Sequence, residues 1–178
     1  AFGPATVPDA IREAARRQPG QVVLQDVSLQ ELSYRRLFVA ADVLAGQWRT
    51  LLNDAAQRVG VLLPNVNAMP VVTLSLWAAG KIPAVLNYST GTGVLLSCAK
   101  LAGLKQIITS REFMERAKLD AATLRGAGRE LLLMEDIRTR ITRLRRLHAL
   151  LRQSVKPCLP TLHPRLSGDS PAVVLFTS

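Results

Sequence analysis

The pattern of apolar and polar positions is clearest between residues 59 and 89, where it predicts a strand, a helix and a second strand. Val59–Leu63 is a short apolar segment, and Asn67 is a residue type that can cap a helix whose first turn accepts Pro70. The helix is apolar on nearly every side, which predicts burial, and Gly80 supplies a left-handed end. Because Ile82–Leu86 is again apolar, we expect the two strands to pair in parallel across a helical crossover.

Two helices and a hairpin are predicted before this unit. Pro8–Arg17 has the pattern of a short amphipathic helix, and Val22–Leu24 with Val27–Leu29 forms a candidate hairpin. Ser33 is placed to cap a long helix whose apolar positions recur every three or four residues and therefore face a core. These positions are Leu37, Ala41, Leu44, Trp48 and Leu51.

The rest of the chain continues to alternate strands with helices. Strand-like segments are Gln106–Ile108, Leu131–Met134 and Ala172–Thr177, the last apolar enough to predict full burial. The helices are Thr92–Ala102 (ended by Gly103), one after the capping-box spacing Thr109-Ser110-Arg111-Glu112, and Ile137–Leu151. The apolar side of this last helix consists of Ile137, Ile141, Leu144, Leu147 and Leu151. The alternation predicts an α/β fold with a mostly parallel sheet and helices on both faces.

Composition is that of a globular domain. The 178 residues are 48% hydrophobic, which is enough to bury a core, and no apolar run approaches the roughly 18 residues that span a bilayer. The two cysteines, Cys98 and Cys158, have the spacing of neither a zinc site nor a disulfide framework, and Cys98 is expected to be a buried thiol. We therefore expect a soluble domain.

The candidate catalytic patterns are weak. Gly91-Thr92-Gly93 opens a helix after a strand, as a phosphate-binding turn does, but Leu96 replaces the third glycine of a dinucleotide fingerprint, which favours a plain turn. His148 and His163 have no clustered acid or thiol near them in sequence, which favours solvated or structural histidines over metal ligands. No G-x-S-x-G motif and no histidine with an aspartate five residues later is present, so neither a serine hydrolase nor a glycerolipid acyltransferase is indicated.

Charge is the unusual property of the sequence, because 23 basic and 13 acidic residues give a net charge of +10. The basic residues are densest in and around the helix Ile137–Leu151, at Arg138, Arg140, Arg143, Arg145, Arg146 and Arg152. These arginines are either solvated or a dock for a lipid head group, an acidic carrier protein or nucleic acid. An aromatic content of only 4% disfavours nucleic acid. If the leucines of the helix face the core, association with an anionic membrane is superficial and salt-sensitive, without insertion.

Four segments follow the order of the amino-terminal motifs in adenylate-forming enzymes, and the chain resembles that superfamily. They are SYRRL, VGVLLPN, LWAAGKIPAVLN and DSPAVVLFTS. The superfamily includes acyl-CoA synthetases, peptide-synthetase adenylation domains and luciferases. Three segments, LNYSTG, IITSREFMERAKL and LLLMEDIRTRI, more closely resemble the family of bifunctional 2-acylglycerophosphoethanolamine acyltransferase/acyl-acyl carrier protein synthetases. The resemblance covers nearly the whole chain from Val22 onward.

The resemblance implies a fold like that of acetyl-CoA synthetase and a two-step ligase that uses ATP and magnesium. A fatty acid carboxylate attacks the α-phosphate of ATP, which gives acyl-AMP and pyrophosphate. The thiol of acyl carrier protein, or of coenzyme A, then displaces AMP, and the acyl group serves to reacylate lysophospholipids. In the family, the strand that matches Ala172–Thr177 leads into a phosphate-binding loop, so Thr177 and Ser178 are the candidate ATP-binding residues.

The same resemblance implies that residues 1–178 are a partial amino-terminal AMP-binding domain that stops at the start of this loop. It assigns no catalytic residue and no metal ligand to them. We therefore expect the isolated piece to be inactive and to hold no cofactor. We expect the domain to lie on the cytoplasmic side and the parent enzyme to associate with the bacterial inner membrane. The alternative interpretation is a non-catalytic α/β scaffold that binds a membrane surface or an acidic partner through its basic helix.

Overall fold

The computed structural model describes residues 6–155 and 169–176, and these divide into two compact units. The first, here the helical unit, is formed by described residues of Ala1–Leu51, Asn65–Gly80 and Ile141–Ser170. The second, here the sheet unit, is formed by those of Leu52–Pro64, Lys81–Arg140 and Pro171–Ser178.

The elements follow the alternation that the sequence predicts. Those of the helical unit are α1 (Val7–Arg17), β1 (Val22–Gln25), β2 (Glu31–Ser33), α2 (Tyr34–Leu51), α3 (Ala68–Ala78) and α8 (Arg143–Val155). Those of the sheet unit are β3 (Arg58–Val61), β4 (Ile82–Val85), α4 (Thr92–Leu101), β5 (Gln106–Thr109), α5 (Arg111–Arg116), α6 (Ala121–Gly126), β6 (Glu130–Leu133), α7 (Met134–Arg140) and β7 (Val174–Leu175).

Helix α2 forms the centre of the helical unit. Its residues Leu37, Ala41, Leu44 and Trp48 are buried as the helical periodicity predicts. The indole Nε1–H of Trp48 donates a hydrogen bond of 2.6 Å to Ser75 Oγ on α3, so the contact between these two helices is polar as well as apolar. Helix α2 therefore holds α3 through its most buried aromatic residue.

The hairpin near residue 22 is present, but its second strand lies further along the chain than the sequence predicts. Strand β1 pairs antiparallel with β2, and Val27–Leu29 belongs to the turn between them. The Asp26 carboxylate organises this turn by accepting hydrogen bonds from the Ser28 hydroxyl and from the Ser28 and Gln30 amides. The Ser28 hydroxyl is the main cause that lowers the pKa of Asp26. Leu29 takes a φ of 60°, which a strand residue does not adopt.

The predicted capping of α3 by Asn67 is wrong. Asn67 precedes the helix, but its backbone is already helical and its side chain makes no capping hydrogen bond. Its side-chain Nδ2 instead donates to Gln30 O at 2.7 Å. The Asn67 side chain is therefore bonded to the residue directly before β2. Gly80 confirms the predicted left-handed end with a φ of 74°.

The sheet unit contains a five-stranded parallel sheet in the order β6-β5-β3-β4-β7. Helices α4, α5 and α6 pack against it through an apolar cluster. The fully or nearly fully buried members are Leu62, Ala84, Leu86, Leu95, Ala99, Ala102, Leu104, Ile107, Phe113, Met114 and Leu124. Cys98 packs on this cluster and is half-buried, less than the sequence predicts. The predicted α/β class, with a parallel sheet flanked by helices, is confirmed.

The cap of α5 lies one residue later than the capping-box spacing predicts. Ser110 Oγ accepts from the Phe113 amide at 3.0 Å, and Thr109 is the last residue of β5. At α6, Asp120 has the capping role; hydrogen bonds from the Thr123 hydroxyl and the Ala122 and Thr123 amides lower its pKa.

The helix predicted over Ile137–Leu151 is two helices. Helix α7 ends at Arg140, and Thr142 Oγ1 accepts a 3.3 Å hydrogen bond from the Arg145 amide at the start of α8. A threonine at this position starts a new helix because its hydroxyl satisfies an amide that the first turn leaves open. Ile137 is buried in α7, whereas Leu144, Leu147 and Leu151 of α8 are exposed, so the expectation that they face a core is wrong.

The last strand is shorter and less buried than the sequence predicts. Strand β7 comprises only Val174 and Leu175, and the Leu175 side chain is 66% exposed. The reason is position, because β7 is at the edge of the sheet beside β4.

Gly60 on β3 is a position where a larger residue should not fit. A Cβ atom there would lie 2.9 Å from Ile107 Cγ1 and 3.3 Å from the Gln106 carbonyl oxygen. We expect Gly60→Ala to lower the free energy of unfolding by about 1–3 kcal/mol, since overpacking a close strand contact forces the backbone to shift. Gly46→Ala is the matched control: its Cβ meets nothing within 4 Å, so it should raise stability by about 0.5–1 kcal/mol. Urea unfolding followed by circular dichroism measures both, and equal effects would contradict the packing argument.

Candidate functional site

The candidate site is the edge of the sheet at which the parallel strands end. Strands β3, β4, β5 and β6 run in one direction, so the residues that directly follow them meet at one edge, here called the carboxyl edge. The connection that leaves β3 leads to β4 on one side, and the connection that leaves β5 leads to β6 on the other. Open α/β sheets bind ligands outside their carboxyl ends, at such a reversal of strand order.

The residues after β4 form a hydrogen-bonded turn at the carboxyl edge. Asn87 Oδ1 accepts from the Ser89 amide at 3.0 Å and from the Ser89 hydroxyl at 2.8 Å, and the Thr90 hydroxyl donates to Asn87 O at 2.9 Å. Gly91 follows with a φ of 84° and precedes α4 without a side-chain cap. The turn therefore fixes the chain entering α4, and its two hydroxyls are engaged within it.

An aromatic contact joins this turn to α5. The rings of Tyr88 and Phe113 lie edge to face, with centroids 5.1 Å apart and an interplanar angle of 86°. Phe113 is buried and Tyr88 is exposed on its other side. This geometry is favourable for aromatic pairs and holds the segment after β4 against the segment after β5.

Polar groups at the ends of β5 and β6 are also brought together. The Arg111 amide donates to Glu135 Oε1 at 3.0 Å, and the Arg111 guanidinium donates to Asp136 Oδ1 at 2.6 Å. Two buried oxygens nearby in the sequence, Thr109 Oγ1 and Glu135 Oε2, have no hydrogen-bond partner. The ends of these two strands are thus joined by charge, but not all of their polar atoms are satisfied.

The predicted site residues are only partly described by the structure. In residues 6–155 and 169–176, no three His, Cys, Asp or Glu side chains come together to hold a metal. The hydroxyls of Ser89 and Thr90 are used within their own turn. The candidate ATP-binding residues Thr177 and Ser178, like Cys158 and His163, lie outside the described residues.

Sequence reasoning missed Lys81, which is 4% exposed. Its ammonium donates to three backbone carbonyls, at 2.7 Å to Asn53 O, 2.9 Å to Ala56 O and 3.4 Å to Asp54 O. The only signal in the sequence is a lysine directly before an apolar strand. Lys81 is at the amino end of β4, opposite the carboxyl edge, so its role is to hold the loop before β3.

The six arginines of the predicted basic helix are divided between two elements. Arg138 and Arg140 are in α7 of the sheet unit, and Arg143, Arg145, Arg146 and Arg152 are in α8 of the helical unit. All six are exposed. The basic helix that the sequence predicts is therefore two helices, each of which belongs to a different unit.

In the helical unit, a cleft of about 360 Å³ lies between α2 and α8. It is lined by Asp42, Val43, Gly46, Arg49, Leu144, Arg145, His148, Ala149 and Arg152. Arg152 forms an ion pair with the nearly buried Asp42 at 3.6 Å. The predicted solvated His148 is exposed at the rim of this cleft.

In the described part of the chain, no helix is both long and apolar enough to cross a bilayer.

Comparison with known proteins gives one family. The family model for AMP-binding enzymes matches residues 11–178. Similar folds occur in the N-terminal subdomain of Klebsiella oxytoca NpsA in complex with 3-hydroxyanthranilyl-AMSN, with a TM-score of 0.69, 20% identity, and coverage of 97% of this chain and 37% of that one. For VinN in complex with 3-methylaspartate, the TM-score is 0.73 and the identity 17%, over 97% of this chain and 44% of that one. For the nonribosomal peptide synthetase FmoA3 (S1046A), the TM-score is 0.69 and the identity 20%, over 98% of this chain and 16% of that one.

At these identities the solved structures show a shared fold. The chain spans less than half the length of each of these three proteins.

Proposed function

The chain belongs to the AMP-binding enzyme family, and from that premise we propose that it is the amino-terminal part of an ATP-dependent fatty acid ligase. The carboxylate oxygen of the fatty acid bonds to the α-phosphorus of ATP, and pyrophosphate leaves with the electrons of the broken P–O bond. The thiol sulfur of acyl carrier protein then attacks the acyl carbon, loses its proton, and displaces AMP. The acyl group passes on to reacylate lysophospholipids.

One observation carries the choice of a fatty acid. The three segments that resemble the bifunctional acyltransferase/acyl-acyl carrier protein synthetases are residues 86–91, 107–119 and 131–141. Each contains the end of β4, β5 or β6 or the residues directly after it, so all three cross the carboxyl edge. Resemblance concentrated at the ligand-binding edge of a parallel sheet supports a shared substrate more than resemblance in the core does.

The position of β7 supports the proposed phosphate-binding role of Thr177 and Ser178. Strand β7 pairs in parallel with β4, with Val174 opposite Ala84 and Leu175 opposite Val85. Thr177 and Ser178 follow Phe176 directly in the sequence. In this proposal, they start a loop at the carboxyl edge whose backbone amides bind the phosphates of ATP, with magnesium supplying charge neutralisation at phosphorus when bound.

ATP–pyrophosphate exchange in the natural polypeptide that contains this chain tests the proposal. A panel of fatty, aryl and amino acids should give exchange only with fatty acids, and the 178-residue chain alone should give the background rate. In this proposal the Thr177 hydroxyl donates to a phosphate beside the loop amides, so Thr177→Ala should lower the exchange by about tenfold or more, because one lost charge-assisted hydrogen bond costs roughly 1.5–3 kcal/mol. Exchange driven by an aryl or amino acid, with none from fatty acids, would contradict the proposed substrate.

The alternative is a scaffold without ligase activity, and the exposed basic residues of α8 favour it over other non-catalytic roles. Such a protein would give no exchange with any member of the panel. Its natural polypeptide would also transfer no acyl group to acyl carrier protein or to coenzyme A.

A further inference from the structure

Helix α8 exposes three leucines to solvent. Leu144, Leu147 and Leu151 are 78%, 53% and 60% exposed. Their spacing of three and four residues places them on one face, because a helix repeats every 3.6 residues. We call this set the leucine face. An exposed face of this length is unusual in a helix that is otherwise packed on a neighbour.

The opposite side of α8 is what holds it to α2. Ala149 is 4% exposed, and Gln153 is also buried. Arg152 pairs with Asp42 of α2 at 3.6 Å, and the Asp42 side chain is only 7% exposed. The small residue and the ion pair fix the rotation of α8 about its axis, so the leucine face is held outward by contacts on the other side.

Basic side chains flank the leucine face. Arg143 lies on one side of it and Arg145 lies on the other, as the 3.6-residue repeat requires. Leu144 belongs both to the leucine face and to the lining of the cleft that contains Arg145 and His148. The cleft therefore opens beside the leucine face and adds positive charge along one border.

We propose that α8 docks on the surface of an anionic lipid bilayer, with the leucine face in the boundary of the acyl chains and the flanking arginines on lipid phosphates. The centre of the surface is apolar and the cations are at its borders, which is the arrangement of helices that lie in a membrane interface. Insertion replaces the superficial association that the sequence predicts, because the leucines are not in the core.

Vesicle flotation with the 178-residue chain tests this dock. Phosphatidylglycerol/phosphatidylcholine vesicles should bind the chain, and pure phosphatidylcholine vesicles should bind it about tenfold less at roughly 0.1 M salt. The double variant Leu147→Gln/Leu151→Gln should lower binding to the anionic vesicles by about tenfold. Leu101→Gln is the matched control, because Leu101 on α4 is 84% exposed and lies outside α8; it should bind as the parent chain does.

A second set of variants tests the flanking arginines in the same flotation experiment. Arg143→Gln/Arg145→Gln should weaken binding at roughly 0.1 M salt and lose most of that effect near 1 M, where charges are screened within about 3 Å. Arg125→Gln, at an exposed position on α6, is the control.

Three results would overturn the proposal. The first is equal binding, or none, to anionic and neutral vesicles. The second is binding that depends on the arginines but not on the two leucines, which is the behaviour of an electrostatic contact such as an acidic protein provides. The third is self-association measured by sedimentation velocity that the leucine double variant abolishes without any change in lipid binding, since a second copy would then cover the leucine face.

Discussion

Trp48→Ala is expected to lower the free energy of unfolding by about 3–5 kcal/mol, the range for removing a large buried aromatic side chain. Trp48 is fully buried in α2, and its indole N–H donates to Ser75 Oγ of α3 at 2.6 Å. The Ser75 hydroxyl in turn donates to Val72 O at 2.7 Å. The substitution therefore creates a cavity and also leaves a buried hydroxyl oxygen without its donor, and urea unfolding of the 178-residue chain measures the sum.

Two smaller substitutions separate the cavity from the hydrogen bond. Ser75→Ala keeps the packing but leaves the buried indole N–H without an acceptor, which should cost about 1–3 kcal/mol. Trp48→Phe removes the donor and part of the volume. The double variant Trp48→Phe/Ser75→Ala should lose less stability than the two single variants lose together. The reason is that the second substitution removes the group that the first has left without a hydrogen-bond partner. A cost for Trp48→Ala within about 1 kcal/mol of zero would show that α2 and α3 do not depend on this contact.

The strands of the sheet were predicted from the sequence because each one is a short apolar run bounded by a turn residue. Burial on both faces of a parallel sheet makes such runs continuous, so Ile82–Val85 and Gln106–Thr109 could be recognised locally. The edge position of β7 could not, because an apolar run does not report how many neighbours the strand has.

Helix α8 shows a second limit of predicting burial from hydrophobic periodicity. Leu144, Leu147 and Leu151 have the spacing of a buried face, yet the buried side carries Ala149 and Gln153. Periodicity shows that a helix has two faces, and burial of the apolar one is only the usual outcome. Here the Arg152–Asp42 ion pair, a contact between residues far apart in sequence, decides the rotation.

The sequence also predicts some features of the candidate site and not others. That residues after the strands would meet at one edge follows from parallel pairing, which the sequence predicted. The hydrogen bonds of Asn87 and the contact of Tyr88 with Phe113 depend on three-dimensional positions that no local pattern encodes. The proposed roles of Thr177 and Ser178 stay predictions, which pyrophosphate exchange tests directly.

Lys81→Met is expected to lower the free energy of unfolding by about 3 kcal/mol, because charge-assisted hydrogen bonds contribute roughly 1.5–3 kcal/mol each and are not additive. The ammonium of Lys81, a residue only 4% exposed, donates to the carbonyls of Asn53, Asp54 and Ala56, and methionine removes all three hydrogen bonds. Lys100→Met is the control at an exposed position and should stay within about 0.5 kcal/mol of the parent.

The location of Lys81 makes the same variant a test of where the functional edge is. Ile82 donates to Gln57 O at 2.8 Å, which places Lys81 at the amino ends of β3 and β4, at the far end of the strands from the turn at Asn87. In the natural polypeptide, at a temperature where the variant stays folded, Lys81→Met should therefore leave the Michaelis constants for ATP and fatty acid within about twofold of the parent values, a difference of roughly 0.4 kcal/mol. A loss of stability of less than about 0.5 kcal/mol would show that the three hydrogen bonds are replaced by water at no cost. A tenfold rise in the Michaelis constant for ATP in the folded variant would place the nucleotide at the amino edge and would contradict the assignment of the carboxyl edge.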